Sequence, residues 1–492
     1  MTVTVPALTL TRLLNGWQEA GDGAIHQRLA VILGSLLLDG RLPVHARLPS
    51  ERDLATQLRV SRATVAGAYS RLRDEGMLVS RPGAGNWTTL PDRGNRGIAP
   101  LVPGILPEPG LLDLAMAAAP PPVETVMLAF ASALAGLTEV LGDDRALNAH
   151  GYHPAGIPRL REAVAARYTQ RGAPTTPDQI FVTVGAQGAI HSVSRLLATR
   201  GDTIVVEQPS YPNAIDALRR TGARLVPVPV TDQGWDIEQL TGTLARSAPV
   251  LAYLIPDFHN PAGGVLSAAD RHALVTAAAA SSTTLLIDET HAELNLDGIV
   301  MPPPVAAFDK KSRVISVGSL SKVFWGGLRV GWIRAAPDVV RRMALDRSSI
   351  DMAGPVVEQL AAAYLLGHMN ELLPPRLADL AVRRDALVAA MEKWLPHWSF
   401  TRPAGGQSVW ALLDQPVSTA LADAAERYAV RLVPGPRFGL DGTLERFLRL
   451  PFSLPPADLE QAVARLSEAE RDVLGPARTV GSRAAGYGAR RR

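Results

Sequence analysis

The sequence predicts an α/β protein with a large, mainly parallel sheet and a small C-terminal domain, preceded by a helical N-terminal domain that ends in a hairpin. Between about residues 114 and 474, seven short runs rich in Val, Ile and Leu alternate with helical stretches. Most of these runs are continuously apolar, which is typical of strands covered on both faces of a layered α/β fold. The predicted strands span residues 180–184, 203–207, 224–228, 250–255, 284–288, 314–318 and 330–333.

Composition and breaks in the pattern divide the chain into four segments. With 492 residues, the chain is too long for one ordinary domain. Residues 1–90 form the first segment, within which residues 24–90 alternate short amphipathic helices with sharp breaks, and the proline-rich residues 91–113 indicate an extended linker. Residues 114–475 carry the α/β pattern. Residues 476–492 contain five Arg and no acidic residue, which predicts a disordered basic tail, solvated in preference to bound to DNA.

The composition excludes several classes of protein. The chain has no cysteine, so it contains neither disulfides nor thiolate metal sites, and we expect no bound metal. No apolar run approaches the length of about 18 residues that a membrane span needs, and the N-terminus lacks a signal-peptide pattern. We therefore expect a cytoplasmic protein with no membrane partner. The net charge of +3 is too small to indicate nucleic-acid binding by itself.

The N-terminal segment has the proportions of a helix-turn-helix followed by a hairpin. An apolar stripe from Leu29 to Leu37 predicts a helix over residues 25–38. Ser50 is placed to cap a short helix, and Ser61 is placed to cap the next helix after a tight break. Residues 78–89 predict a hairpin around a glycine-rich turn. Periodicity alone fits a small helical packing module equally well.

Four motifs in this segment closely resemble the winged helix of the GntR family. They are Leu-Pro-Ser-Glu-Arg-Asp-Leu-Ala at 48–55, Val-Ser-Arg-Ala-Thr-Val at 60–65, Leu-Arg-Asp-Glu-Gly at 72–76 and Pro-Gly-Ala-Gly at 82–85. The resemblance implies double-stranded DNA as a partner. The DNA contacts it implies are Arg52, Ser61, Arg62, Thr64 and the wing residue Gly83. Some members carry a further arginine where this chain has Ala66, which leaves the operator sequence open.

A lysine-bearing turn follows the predicted strand at 314–318. Only four lysines occur in the chain, and Lys322 closes the run Ser-Leu-Ser-Lys. A lysine at a strand end in apolar surroundings loses its proton more readily and can act as a nucleophile. Arg329, just beyond, offers a planar fork to a phosphate, and Ser319 or Ser321 offers hydroxyl hydrogen bonds.

Three further turns supply the other groups that pyridoxal-phosphate (PLP) chemistry needs. Asp288 ends a predicted strand and is placed to keep the pyridine nitrogen protonated, although a helix cap explains it equally well. Ala186 and Gln187 lie in a Gly-Ala-Gln-Gly turn after another strand, where backbone N–H groups bind phosphate. Asn260, in an Asn-Pro turn, is placed to hydrogen-bond the ring hydroxyl. Each of these turns alone is a common structural feature.

Together, these motifs resemble the fold type I aminotransferases over roughly residues 114–470. The resemblance implies PLP held through a Schiff base with Lys322. It also implies that Tyr211, in Pro-Ser-Tyr-Pro-Asn, stacks on the cofactor ring, and that Tyr152, in Tyr-His-Pro-Ala-Gly, reaches the phosphate of the neighbouring subunit. Arg449 falls where the family holds the substrate α-carboxylate, a role that suits a bidentate guanidinium.

One position departs from the aminotransferase pattern. The family usually has a tyrosine shortly after the pyridinium Asp, where it bonds the ring hydroxyl. This chain offers Thr290 or His291 instead. Thr290 can still donate a hydrogen bond, but it would tune the cofactor less strongly, which weakens the case for fast transamination.

The order of the segments resembles the MocR (GabR-like) subfamily of GntR-family transcription regulators over nearly the whole chain. That resemblance implies a homodimer in which each DNA-binding domain crosses over the partner's PLP domain, and paired DNA half-sites would require such a dimer. We hypothesise a PLP-dependent transcription regulator, whose promoter binding responds to an amino compound held by Arg449 or to PLP itself. One alternative is an active aminotransferase with an accessory DNA-binding domain. The other is a degenerate PLP domain used only for dimerisation, against which the full set of site residues argues.

Overall fold

The computed structural model describes residues 4–19, 23–81, 85–90, 110–142 and 150–475. These residues form an N-terminal domain, a large α/β domain and a small C-terminal domain, each built around an apolar core. Most of the predicted linker, the predicted basic tail and the predicted wing contact Gly83 lie outside the described residues. In this described part of the chain, no helix combines the length and the apolar character that a membrane span requires.

The N-terminal domain contains four helices and a hairpin. They are α1 Ala7–Leu13, α2 Ile25–Leu38, α3 Glu51–Leu58, α4 Arg62–Asp74, β1 Leu78–Arg81 and β2 Gly85–Thr88. Ser50 caps α3 by accepting a hydrogen bond from the Asp53 N–H, and Ser61 caps α4 in the same way. The buried faces of α2 and α4 share one core. It includes Tyr69 of α4, whose hydroxyl donates to the Pro49 carbonyl at 3.1 Å. The predicted helix-turn-helix and hairpin are confirmed, and α1 is an additional helix.

The large domain is built on an eight-stranded sheet with the order β4-β11-β10-β9-β8-β5-β6-β7. Its strands are β4 Ile180–Val184, β5 Thr203–Gln208, β6 Arg224–Thr231, β7 Gly234–Trp235, β8 Leu251–Leu254, β9 Thr284–Asp288, β10 Val314–Ser319 and β11 Val330–Arg334. Six strands run in one direction, while β11 is antiparallel to both its neighbours and β7 is antiparallel to β6. The mainly parallel sheet predicted from the continuous apolar runs is confirmed.

Helices cover the sheet and link it to the small domain. They are α5 Val123–Gly142, α6 Pro158–Gln170, α7 Gly185–Leu197, α8 Pro212–Arg219, α9 Ile237–Ser247, α10 Ala268–Ala280, α11 Pro337–Arg347, α12 Val356–Gly367, α13 Met369–Trp394, α14 Ser418–Ala425 and α15 Pro456–Leu474. The small domain has an antiparallel sheet of β12 Ser399–Phe400, β13 Ser408–Leu412, β16 Phe447–Pro451 and β15 Val433–Pro434. Strand β3, Leu112–Asp113, pairs in parallel with β14, Val430–Arg431, so the last two residues of the predicted linker already belong to the small domain.

The topology gathers the predicted cofactor residues at one edge of the large sheet. The carboxyl ends of parallel strands meet at the same edge, and ligands of open α/β sheets bind there. Asp288 ends β9, and the Lys322 turn follows β10. The glycine turn that opens α7 follows β4, and the segment containing Tyr211 follows β5.

Candidate cofactor and DNA-binding sites

Lys322 is a buried amine at the centre of this edge. Its Nζ donates a hydrogen bond to the carbonyl oxygen of Ala117 at 2.8 Å. Burial lowers the pKa of Lys322 to about 8, and the nearby Arg449 charge adds to that effect, while Asp288 opposes it. A larger share of this amine is therefore neutral near pH 7 than for an ordinary lysine, and the neutral form is the nucleophile.

Asp288 is held by two hydroxyl groups. Tyr253 donates to Oδ2 at 2.7 Å, while Thr290 donates to Oδ1 through its hydroxyl at 2.7 Å and through its backbone N–H at 3.0 Å. Burial raises the pKa of Asp288, and these hydrogen bonds act in the opposite direction. A cation placed against this carboxyl would favour its ionised form, as a protonated pyridine nitrogen does. The Thr290 hydroxyl thus contacts Asp288 here, and its bond to a ring hydroxyl stays a prediction.

Tyr253 belongs to no motif in the sequence. It lies inside strand β8, within a buried apolar run, and its ring is fully enclosed. The one available signal was a hydroxyl-bearing residue in a run of aliphatic side chains. Its partner Asp288 lies on the adjacent strand β9, so only the sheet order brings the two together.

A close-packed turn lies between β4 and α7. Gly185 adopts a φ of +68°, and a Cβ there would come within 2.9 Å of the Arg329 guanidinium. A Cβ on Gly331 would lie 2.5 Å from the Gly185 carbonyl carbon and 2.8 Å from the Ala186 nitrogen. Strand β11 therefore approaches the turn at backbone contact. Arg329 donates to the Val184 carbonyl at 3.3 Å, which places its guanidinium at the first N–H groups of α7.

The two serines on the lysine turn support the same region. The Ser319 hydroxyl donates to the Val330 carbonyl at 2.9 Å and lies 2.8 Å from the Ser321 hydroxyl. Ser321 donates its own backbone N–H to Ser319 at 3.2 Å. These bonds tie the turn to β11, so the serine hydroxyls and Arg329 belong to one rigid hairpin.

Tyr211 and the neighbouring amides complete the lining. The Tyr211 hydroxyl accepts a hydrogen bond from Asn213 at 3.1 Å, and Gln187 donates to the Asn213 carbonyl at 2.9 Å. Burial raises the pKa of Tyr211, and its hydroxyl is close enough to feel the charges of Asp288, Arg449 and Arg329.

Three buried polar atoms at this site lack a hydrogen-bond partner among the described residues: Gln187 Oε1, Asn260 Oδ1 and Arg449 Nε. Buried polar groups are normally paired, and leaving one unpaired costs about 1–3 kcal/mol. A bound ligand would supply hydrogen-bond partners for these three atoms. Together with the buried amine, the buried carboxyl and the glycine-lined turn, they fit PLP.

Arg449 is a buried guanidinium on β16, facing the Lys322 edge from the small domain. It is 4% exposed, and it donates a short hydrogen bond to the Ala115 carbonyl. Its guanidinium carbon lies 4.9 Å from the centre of the Phe438 ring. Burial lowers the pKa of Arg449 to about 10. Within the described residues it forms no ion pair, so it has room for a carboxylate that this part of the chain does not supply.

Two predicted neighbours of the cofactor differ in burial. Tyr152 is half exposed and packs against the His150 ring at 5.2 Å, outside the cluster around Lys322, so its reach to a partner subunit's phosphate stays a prediction. His291 is buried, and its Nδ1 lies 3.0 Å from the Phe258 carbonyl oxygen. Burial and the nearby Lys322 charge lower the pKa of His291 to about 3, so this ring is neutral.

The predicted DNA contacts cluster at the start of α4 and on α3. Arg52 and Arg62 are exposed, and the Arg62 side chain pairs with Glu51 at 3.2 Å. Ser61 and Thr64 are engaged with each other, because the Ser61 hydroxyl accepts the Thr64 N–H and lies 2.9 Å from the Thr64 hydroxyl. Ser61 therefore has a structural role as a helix cap, and its predicted contact with DNA would come in addition.

Two family models match the chain. The one described as bacterial regulatory proteins of the gntR family matches residues 26–86, and the one described as aminotransferase class I and II matches residues 118–466. The probable rhizopine catabolism regulatory protein MocR of Rhizobium meliloti is 30% identical over 77% of this chain and 79% of that protein. The chain is a MocR-type member of the aminotransferase class I and II family.

The MocR-type architecture extends across further relatives. The uncharacterized HTH-type transcriptional regulator YisV of Bacillus subtilis is 26% identical over 94% of this chain and 99% of its own length. Among solved structures, the α-aminoadipate aminotransferase LysN of Thermus thermophilus has a TM-score of 0.67 and 29% identity over 74% of this chain and 93% of that chain. LysN was crystallised with N-(5′-phosphopyridoxyl)-L-leucine. Aminotransferases of this fold are PLP-dependent, and the GntR-type domain is a DNA-binding fold.

Proposed function

We propose that this MocR-type chain is a transcription regulator that binds promoter DNA through its N-terminal domain and PLP through its large domain. The observation that carries the proposal is the cluster of Lys322 with the buried side chains of Asp288 and Arg449, which combines an amine of lowered pKa with a guanidinium that forms no ion pair in the described chain. Such a cluster costs stability unless a ligand uses it. Because the chain also has a GntR-type domain, we expect ligand binding at this cluster to change the affinity for DNA.

The residues divide the work of holding the cofactor. PLP, when bound, supplies an aldehyde that condenses reversibly with amines and a ring that withdraws electrons. Lys322 would hold the aldehyde carbon, since its amine is partly neutral at physiological pH. Asp288, kept in place by Tyr253 and Thr290, would accept a hydrogen bond from the ring N–H and so keep the ring nitrogen protonated. Arg329 and the N–H groups that open α7 would hold the phosphate.

Arg449 gives the site its means of detecting an effector. In the described structure its guanidinium is bonded to the neutral Ala115 carbonyl. A carboxylate accepts two charge-assisted hydrogen bonds from a guanidinium and would replace that carbonyl. The effector we propose is an amino compound that carries a carboxylate, with PLP itself as the other candidate signal.

The replaced carbonyl belongs to the segment that follows the linker. Ala115 and Ala117 accept hydrogen bonds from Arg449 and Lys322, and Met116 accepts one from Ser453 at 2.9 Å. Ligands that engage the guanidinium and the amine would release this segment at two points. Since strand β3 immediately precedes it, the release would act on the end of the linker that leads to the DNA-binding domain.

The quaternary arrangement belongs to the same proposal. A homodimer would present two recognition helices to paired half-sites on DNA. Exposed Tyr152 would then be free to reach the partner's phosphate site. In the single chain described, the N-terminal domain contacts the large domain of its own chain, and the crossing over to a partner remains a prediction. A DNA-binding regulator of this kind would act in the cytoplasm.

The test is binding of the purified protein to DNA from its own upstream region, with and without PLP. We expect the DNA affinity to change with PLP. Lys322→Ala should bind DNA but lose the response, while Lys310→Ala, which removes a lysine from an exposed loop, should respond like the wild type. A Lys322→Ala variant that responds normally would contradict the role of the amine. Absence of DNA binding in both states, with sustained turnover of an amino acid and a 2-oxo acid at roughly one per second or more, would favour the aminotransferase alternative.

A further inference from the structure

The end of helix α2 is bonded to the large and small domains. We call residues 38–40, Leu-Asp-Gly, the docking turn. The Leu444 N–H donates to the Leu38 carbonyl at 2.7 Å, and the Gln208 side-chain amide donates to the Gly40 carbonyl at 3.4 Å. Arg446 lies 3.6 Å from the Asp39 carboxylate. The DNA-binding domain is therefore attached to the PLP domain by backbone and side-chain bonds as well as by the linker.

The side-chain amide of Gln208 connects the end of β5 with the docking turn and with residues 440–443. Besides Gly40, its Nε2 donates to the Thr443 hydroxyl at 3.2 Å, and its Oε1 accepts the Leu440 N–H at 3.2 Å. The side chain is 3% exposed, so water does not replace these bonds. Neither the docking turn nor residues 440–443 can shift without breaking a bond to this amide.

Gly40 fits this contact because it lacks a side chain. Its φ is +70°, a conformation that favours glycine, and a Cβ would lie 2.6 Å from the Gln208 Nε2. Gly16, in the same domain, has a similar φ of +77° but no atom within 4 Å of a Cβ placed there. The two glycines therefore share the backbone requirement and differ in the contact.

The same segments lead to the effector site. Gln208 is the last residue of β5 and lies shortly before Tyr211 in the chain. The Ser210 N–H donates to the Phe438 carbonyl at 2.9 Å, and the Phe438 ring contacts the Arg449 guanidinium. A continuous set of packed residues thus runs from Arg449 through Phe438 to Gln208 and the docking turn. Packed chains of residues of this kind carry coupling between distant sites when they have two arrangements.

The docked arrangement carries a built-in cost. Asp39 is enclosed by the contact, and its Oδ1 has no hydrogen-bond partner among the described residues. Burial raises the pKa of Asp39 to about 6, against the pull of Arg446 and Arg41. Release of the turn into water would remove this cost, so the burial of Asp39 opposes the docked arrangement.

We propose that the docking turn is the contact through which the PLP domain holds the DNA-binding domain, with Gln208 as its positioning residue, and that occupation of the Arg449 and Lys322 site loosens it. This inference rests on the proposed function. The contacting surfaces meet within one chain here. In a dimer with crossed domains the same surfaces would meet between chains. Amide exchange at residues 440–446 detects loss of the contact in either arrangement.

The experiment follows amide hydrogen exchange in the full-length protein, with and without PLP, together with binding to its upstream DNA. The reporter is the segment 440–446, since the Leu444 amide donates its hydrogen bond to the Leu38 carbonyl of the docking turn. The variants are Gly40→Ala and the isosteric Gln208→Glu, which removes the donor to Gly40, and the matched control is Gly16→Ala. We expect exchange at 440–446 to rise about tenfold in both variants, the effect of losing roughly one buried hydrogen bond.

The wild type should show a rise in the same direction when PLP is added, with a change in DNA affinity of about fivefold or more, the usual range of allosteric coupling. The two variants should lose that PLP response to within about twofold, and Gly16→Ala should keep it. Variants that exchange faster but respond to PLP like the wild type would overturn the coupling and leave the proposed function intact. A wild type whose DNA affinity ignores PLP both alone and together with added amino acids would overturn the proposed function, and the coupling with it, whatever the exchange shows.

Discussion

Replacement of Arg449 by methionine should raise or preserve stability while it removes effector detection. The guanidinium is buried and has no acidic partner in the described structure, and its pKa falls to about 10 from its ordinary value of 12.5. Since one pKa unit corresponds to about 1.4 kcal/mol, burying this charge costs roughly 3 kcal/mol. The variant loses the hydrogen bond to Ala115 and the contact with Phe438, together about 1–2 kcal/mol. The net expectation is a free energy of unfolding between unchanged and about 2 kcal/mol higher.

The matched control is a second buried arginine that is fully paired. Arg384 donates to Asp297 at 2.7 Å and to Asp385 at 2.9 Å. Its replacement by methionine should lower the free energy of unfolding by roughly 1–2 kcal/mol, because the Pro403 carbonyl loses a buried hydrogen bond and the two carboxylates, which keep Arg402, each lose one. Urea denaturation of the ligand-free variants, followed by circular dichroism, measures the two effects. If Arg449→Met were destabilised as much as Arg384→Met, Arg449 would be a structural residue and the argument for a carboxylate site would fail.

Three further predictions concern the cofactor turn, the lysine and the helix cap. Gly331→Ala forces the Gly185 turn to move, so the affinity of this variant for PLP should fall by roughly 10- to 100-fold in a spectroscopic titration. The control Gly367→Ala, whose Cβ meets nothing within 4 Å, should bind PLP like the wild type. Equal affinities of the two variants would refute a phosphate site at the Gly185 turn. Because burial lowers the pKa of Lys322 to about 8, the rate of PLP capture by the PLP-free protein should rise about tenfold per pH unit below pH 8 and level off above it, and a flat profile from pH 6 to 9 would contradict this. Ser61→Ala should lower the unfolding free energy of the N-terminal domain by about 1 kcal/mol through loss of the cap, and a thermal midpoint equal to that of the wild type would show that the cap contributes nothing.

The sequence predicted the large sheet because its signal is local. Each strand is a continuous apolar run, so residues 180–184 and 284–288 were predicted with the bounds that the structure has. Strand direction is not local: β11 was expected within a mainly parallel sheet, yet it is antiparallel because it turns back from β10 and inserts beside β4. Helix α1 was missed because seven residues make only about two turns and give a weak periodic signal.

The candidate site divides in the same way. Lys322, Asp288 and Arg329 lie in short motifs next to strand ends, where residue type and position can be judged together. Tyr253 and Gln208 act on residues far away in the chain, and nothing beside them in the sequence indicates their partners. The carbonyl groups of Ala115 and Ala117 leave no trace in a sequence, since every residue has one. Long-range pairing and backbone contacts are therefore what the structure adds.

The hairpin of β10 and β11 has a consequence for how this architecture can change over time. Its register pairs Ser319 with Gly331, so Lys322 and Arg329 lie in one loop that is closed at both ends. If Lys322 holds the aldehyde and Arg329 the phosphate, as we propose, the length of this loop sets the distance between the two groups. Insertions or deletions in the loop would change the spacing between Lys322 and Arg329, and we expect them to abolish cofactor binding. Arg449 lies in the small domain, outside this loop. Effector preference can therefore change through substitutions around Arg449 while the spacing between Lys322 and Arg329 stays the same.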